Sequence, residues 1–269
     1  VRRQLAAAAG IATHSEPVPT RDSYLIAARF VGRHVELKTL HAALTSARQG
    51  AGCGWLLSGE SGVGKSRLLE ELRCAALCEG VLTLRGQAKV SGDAYHLWLD
   101  VLRLIALQVS LSQTELGVLT TVIPELPQIL DCPVCSPPQL DPAAARLRLF
   151  HIINDIWARL PGCSLLLLED VQWADAESLA LLSHLLGDVG KRAQLIVVTH
   201  RENEGSLPAS IVAQLNRLHL PRLQRAEIAD LCQSMLGRAQ IANELLDLVV
   251  TETEGNAYFF LPFTVVSAI

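Results

Sequence analysis

Short, continuous apolar runs alternate along this chain with longer stretches of helical period. Cys53 to Ser58, with Trp55, Leu56 and Leu57, is the first such run. Leu165 to Leu168 and Ala193 to Thr199 are further runs, while Val81 to Arg85 and Arg217 to Leu220 read as short strands of mixed character. The continuous run Leu165 to Leu168 fits a strand buried on both faces of a parallel sheet, and Ala193 to Thr199 reads as another buried strand. The intervening segments predict helices from Leu37 to Gln49, over 67–78, over 94–109, from Pro142 to about Leu160, over 176–189 and near 206–216. Residues 113–140 read as short helices broken by Pro124, Pro127, Pro133, Pro137 and Pro138. Asp141-Pro142 is a start signal, with Asp as cap and Pro in the first helical position. From Gln224 onward the pattern is helical only. Strands alternating with helices predict an α/β fold, a parallel sheet flanked by helices. The helical remainder predicts a small lid domain. The expected division is 1–28 as the tail of an upstream domain plus linker, 29–221 as the sheet domain and 222–269 as the lid.

Chemistry enters between the first strand and the helix after it. Gly59-Glu60-Ser61-Gly62-Val63-Gly64-Lys65-Ser66, followed by Arg67, is a complete phosphate-binding loop. Its glycines let the backbone wrap a phosphate chain while successive N–H groups and the helix N-terminus face the negative charge. Lys65 is placed for the β- and γ-phosphates, and the Ser66 hydroxyl for Mg²⁺. Lysine is scarce, the others being Lys38, Lys89 and Lys191, which sharpens the meaning of one at this position. The sequence therefore predicts a nucleoside triphosphate site for ATP or ADP with Mg²⁺.

A second polar feature stands at a strand end. Glu169-Asp170 follows four leucines, and His200-Arg201 closes the next apolar run. Parallel sheets present ligand-facing groups at the carboxyl ends of their strands. One carboxylate of the pair can hold Mg²⁺ through water while the other orients or deprotonates an attacking water.

Composition narrows the rest. The 269 residues are half hydrophobic and 4% aromatic, with a net charge of −4, which leaves no overall electrostatic footprint for nucleic acid. No uncharged run reaches the length of a membrane span, and the first residues lack a signal-peptide core. Seven cysteines, scattered through apolar helices, predict reduced thiols in a cytoplasmic protein. Cys132-Pro-Val-Cys135 has the spacing of a metal knuckle but no second pair; a proline-rich loop with incidental thiols is the alternative. Cys74 and Cys78, one turn apart, are expected to face the core. The chain opens on Val1 and ends in the apolar run Phe259 to Ile269, from which a piece of a longer polypeptide is expected.

Several segments together resemble one family. Leu165-Leu-Leu-Leu-Glu-Asp-Val-Gln-Trp-Ala-Asp175 is similar to the "LLLLDDLHWAD" acidic segment of AAA-type ATPase domains in bacterial multidomain signalling proteins and large LuxR-type or antibiotic-regulatory-type transcription factors, within the STAND group. Phe30-Val-Gly-Arg-His-Val-Glu-Leu37 resembles their opening "FVGREXEL" box, and Val197-Val-Thr-His-Arg201 their "TYR" strand end. Leu220 to Ile228 resembles "LPLSRAEV", and Thr253 to Leu261 resembles "TEGNPFFL". The resemblance implies that Gly59 to Ser66 bind phosphates, that Glu169 stands at the Mg²⁺-linked acid and Asp170 at the base. It implies that Val31, Gly32 and Arg33 line the base and ribose side, and that Arg201 senses the γ-phosphate. Glu169 replaces the usual Asp, Asp170 is a shorter base than the Glu of fast ATPases, and Ala257 replaces a proline; these departures imply slow hydrolysis. Residues 2–28 also resemble the end of a bacterial transcriptional activation domain, through Gly10 to Pro17, with an upstream kinase or cyclase as the alternative.

The function expected from all this is a slow ATPase switch whose flanking domains read its state, with homo-oligomerisation on ATP binding as an option. A nucleotide-holding scaffold without turnover and a small-molecule phosphotransferase remain as alternatives. Direct nucleic-acid contact and membrane insertion are not expected.

Overall fold

The computed structural model describes residues 30–90, 92–133, 138–236 and 242–260. Strands and helices alternate as the sequence predicts. Helix α1 (His34–Arg48) precedes β1 (Cys53–Gly59), α2 (Lys65–Cys78) and β2 (Leu82–Gln87). Next come α3 (Leu99–Ala106), α4 (Gln113–Leu119), α5 (Leu126–Ile129), α6 (Pro142–Ala158) and β3 (Ser164–Glu169). Then follow α7 (Ala176–Leu186), β4 (Gln194–Arg201), α8 (Ala209–Val212), β5 (Asn216–His219), α9 (Arg225–Leu236) and α10 (Asn243–Thr253). The five strands form one parallel sheet in the order β2-β3-β4-β1-β5, the fold of a P-loop NTPase.

The strand identities follow from burial. Every residue of β3 is buried, and Leu165 to Leu168 are at most 1% exposed, because helices cover both faces of a central parallel strand. Burying each such side chain contributes about 1.5–3 kcal/mol. The register is continuous, Leu82 opposite Ser164 through Gln87 opposite Glu169, and Ser164 opposite Gln194 through Leu168 opposite Val198. This pairing sets the carboxyl ends of β2 and β3 side by side.

The chain divides into two compact units. One comprises 38–58 and 72–218; the other takes residues from 1–37, 59–71 and 219–269. The first holds most of the sheet and a core that includes Trp98 and Trp157, set edge to face at 6.3 Å, with the Trp98 indole N–H donating to the Ser178 carbonyl at 3.1 Å. The second has a smaller core of Leu223, Ile228, Leu231, Cys232, Leu246 and Val249. Both units are discontinuous in sequence, and the phosphate loop and the opening box group with the C-terminal helices. The cause is direct contact: Arg33 donates to the Pro221 carbonyl, and a side chain at Gly59 would meet the Leu220 carbonyl at 2.6 Å.

Three expectations need correction. The helix over 94–109 is a 3₁₀ turn, His96–Trp98, followed by α3 alone. The helix near 206–216 shrinks to the four residues of α8, started at Pro208. Cys74 and Cys78 are exposed, since α2 buries Leu68, Leu69, Leu72 and Ala76 instead. Cys135, residues 1–28 and residues 261–269 lie outside the described residues. Among the described residues no helix is long and apolar enough to cross a membrane, and no cluster of metal-ligating side chains occurs.

Candidate nucleotide-binding site

The phosphate loop links β1 to α2. Gly59, Gly62 and Gly64 have φ of 152°, 85° and 102°, a region that residues with a Cβ rarely adopt. Gly62 has a second reason to be glycine: a Cβ there would lie 2.4 Å from Asn256 Oδ1 and 2.7 Å from Tyr258 Cβ. Lys65 is 7% exposed, and its ammonium donates to the carbonyls of Gly59 at 2.9 Å and Glu60 at 2.7 Å. A buried ammonium needs such acceptors, and a phosphate oxygen is a stronger one. Val63 is buried, while Ser61 and Ser66 are exposed. Arg67 pairs with Glu71 at 2.6 Å, one turn along α2.

The same unit holds the opening box. Arg33 is 4% exposed, donates to the Pro221 carbonyl and pairs with Glu36 at 3.4 Å. Gly32 has φ of 72°, and a Cβ there would meet the Glu227 side chain at 2.8 Å. Val31 is half-buried beside them. Arg33 and Gly32 therefore tie the box to the start of the C-terminal helices. Asn256 donates to the Ser61 carbonyl at 2.8 Å, the Tyr258 N–H donates to the Gly62 carbonyl at 3.2 Å, and Arg222 pairs with Glu60 at 2.8 Å.

The acidic pair belongs to the other unit, at the end of β3. Glu169 is 3% exposed, and Oε1 accepts from Nε of Arg85 at 2.6 Å and from Nη2 at 2.6 Å. Asp170 is buried in a left-handed conformation, φ 55° and ψ 41°, where it caps the 3₁₀ turn Val171–Trp173. Its N–H donates to Thr199 Oγ1 at 2.9 Å, and its carboxylate accepts from Arg201 Nε at 3.0 Å and from Gln87 Nε2 at 3.2 Å. Non-glycine residues in that conformation cost about 1–3 kcal/mol, and such strain clusters at functional positions. Arg201 also pairs with Glu204 at 3.1 Å and stacks on Trp173 at 4.5 Å. Burial disfavours its charge, yet Asp170 and Glu204 outweigh this and hold its pKa above that of an ordinary guanidinium.

Each acid is thus paired with an arginine from a neighbouring strand. Arg85 and Gln87, both on β2, are the residues that sequence reasoning missed. Their signal was present: two long polar side chains, separated by Gly86, close a strand next to the one that carries the acids. Hydroxyl and carboxylate oxygens suit Mg²⁺, which takes one or two such groups and keeps several waters. Ser66 and Glu169 have that chemistry. Glu169 meets it with one oxygen already engaged by Arg85.

Comparison with known proteins gives the family. The AAA ATPase domain family matches residues 29–198, more than half of the chain. No curated protein matches significantly. Among solved structures, the fold is similar to the Orc1 protein of Aeropyrum pernix in complex with DNA, at 17% identity and a TM-score of 0.51 over 87% of this chain and 58% of that one. It is also similar to a replication initiator DnaA bound to AMPPCP and single-stranded DNA, at 12% identity and a TM-score of 0.53 over 91% and 65%. AMPPCP-bound DnaA from Aquifex aeolicus is similar at 12% identity and a TM-score of 0.52 over 89% and 62%. The chain spans roughly three-fifths of the length of these proteins. At such identities the likeness is one of fold, while the family rests on the matched residues: this chain belongs to the AAA ATPase domain family.

Proposed function

We propose that this chain is an ATP-binding, slowly hydrolysing switch module of a larger regulator in the cytoplasm. The observation that carries the reading is the loop Gly59 to Ser66, with three glycines at positive φ and a buried Lys65 whose ammonium donates to the carbonyls of Gly59 and Glu60. In this reading the loop N–H groups and Lys65 hold the β- and γ-phosphates, with Arg67 beside them. Val31, Gly32 and Arg33 serve the base and ribose side. Bound Mg²⁺, with Ser66 and Glu169 as its protein ligands, would neutralise charge on the phosphates. Asp170 accepts a proton from the attacking water, and Arg201, held on Asp170, is the residue nearest in role to a phosphate sensor. The STAND-type signalling context rests on the sequence resemblance.

Slowness is supported by the acidic pair. Both carboxylates are engaged by arginines, so metal and water must compete for them. The same observation favours a second reading, a scaffold that holds nucleotide without turnover. Flanking domains of the same polypeptide would read the state, with oligomerisation on ATP binding as an added output. The net charge of −4 supports no direct nucleic-acid contact by this segment. Steady-state phosphate release by the purified protein, with and without Mg²⁺, separates the readings. Turnover that needs Mg²⁺ and disappears in Asp170→Asn supports the switch; tight binding with no release supports the scaffold.

A further inference from the structure

A loop that cradles phosphate must turn successive N–H groups inward, which turns its carbonyls outward. Outward carbonyls that are half-buried need donors of their own. Here two of them find donors on one short segment near the described C-terminal end. Ser61 O accepts from Asn256 Nδ2 at 2.8 Å, and Gly62 O accepts from the Tyr258 N–H at 3.2 Å. The Tyr258 N–H also reaches Asn256 Oδ1 at 3.1 Å. This fixes the amide orientation, since the flipped amide would set oxygen against the Ser61 carbonyl and nitrogen against an N–H. Asn256 is 7% exposed, and its own N–H donates to the Thr253 carbonyl at 2.9 Å, at the end of α10. Gly62 lies so near that a Cβ would collide with Asn256 Oδ1. The Arg222–Glu60 ion pair adds a weaker, more exposed tie to the same stretch of loop.

We propose that Asn256 is a positioning residue for the phosphate loop. By holding the carbonyls of Ser61 and, through Tyr258, Gly62, it keeps the opposite N–H edge of the loop shaped for the β-phosphate. The segment Gly255–Tyr258 and the loop then change conformation together, which gives the helices that end in α10 a direct mechanical link to the phosphate chain. This rests on the reading of Gly59 to Ser66 as a phosphate site.

The test is a chain-length comparison. Fluorescent analogues of ATP, ADP and AMP are titrated into the wild-type protein, Asn256→Asp and Lys65→Ala, with folding checked by circular dichroism. The aspartate keeps the size of Asn256 but sets a carboxylate oxygen against the Ser61 carbonyl. ATP and ADP should weaken about tenfold, the scale of one broken buried hydrogen bond, and AMP by less than about twofold. Asn256→Ser, whose hydroxyl is too short to reach, is the second variant should the aspartate unfold the chain, and it should show the same split. An equal loss on all three nucleotides would assign Asn256 to general support of the helices and overturn the proposal. So would unchanged affinities alongside a strong loss in Lys65→Ala. If Lys65→Ala itself binds as the wild type does, the phosphate-site reading falls first and this inference with it.

Discussion

Arg85 and Glu169 show how much a single side chain decides here. The carboxylate is buried and engaged on one oxygen by two guanidinium nitrogens, while half of the arginine side chain faces solvent. Removing the arginine takes a guanidinium away from a buried carboxylate, and Mg²⁺ can supply positive charge in its place. Arg85→Met is therefore expected to lower the Mg²⁺ concentration needed for half-maximal ATP binding, by about three- to tenfold after allowance for screening. A midpoint that stays or rises would mean that Glu169 is no metal ligand. Asp170→Asn should keep ATP binding and suppress phosphate release, because an amide takes no proton from water. If Glu169→Gln stops turnover and Asp170→Asn does not, the roles of the two acids are reversed. A third residue carries a pH effect. Burial, and then the neighbouring His151, lower the pKa of His184, and its ring packs against His151 at 5.4 Å and Phe150 at 5.6 Å. The unfolded chain thus binds the proton more readily, so stability falls as pH drops below the ordinary histidine value of 6.5 and through the lowered one. Thermal midpoints from pH 7.5 to 5 should decline, and His184→Phe should flatten that part of the decline. The loop and the acid pair were legible in the sequence because their chemistry demands fixed residue types at fixed spacing. Arg85, Gln87 and Asn256 were not singled out, since each acts through a contact that only the folded backbone brings about.

At the scale of elements, legibility tracked burial. β3 and β4 could be read because a central parallel strand is apolar on both faces, which leaves a run no helix period would produce. α6 could be read from its cap, and Asp141 does accept from the Ala144 N–H at 3.1 Å. The segment 206–216 could not, because the sequence gives no hint that Pro208 opens only a single helical turn before β5. Cys74 and Cys78 were assigned to the wrong face of α2: spacing of one turn says that two residues share a face, and says nothing of which face is covered. Another cap gives a prediction. Asp175 starts α7 by accepting from the Ser178 N–H at 2.9 Å and from the Ser178 hydroxyl, and Ser178 is fully buried. Asp175→Ala removes both bonds and should destabilise the fold by about 1–2 kcal/mol in urea titration, with the slope unchanged. A loss under about 0.3 kcal/mol would show that packing alone holds the start of α7.

For the whole molecule, the sequence foretold a sheet domain followed by helices, and the grouping of residues differs from that order. The opening box, the phosphate loop and the C-terminal helices share one unit, tied by Arg33 to Pro221, Asn256 to Ser61 and Arg222 to Glu60. Linear reading misses such a grouping because its contacts join residues 162 to 195 positions apart. Its consequence is that nucleotide bound at the loop should stabilise the C-terminal helices directly. Every role proposed for this chain depends on Gly59 to Ser66 forming a nucleotide site governed by Lys65. Calorimetric titration of ATP into the wild-type protein and Lys65→Ala, with Mg²⁺ and with chelator, tests it most directly. Saturable one-to-one binding by the wild type, weakened at least about tenfold by the substitution, is the predicted result. Equal affinity in the two proteins, or no binding by a folded wild-type chain, would contradict it.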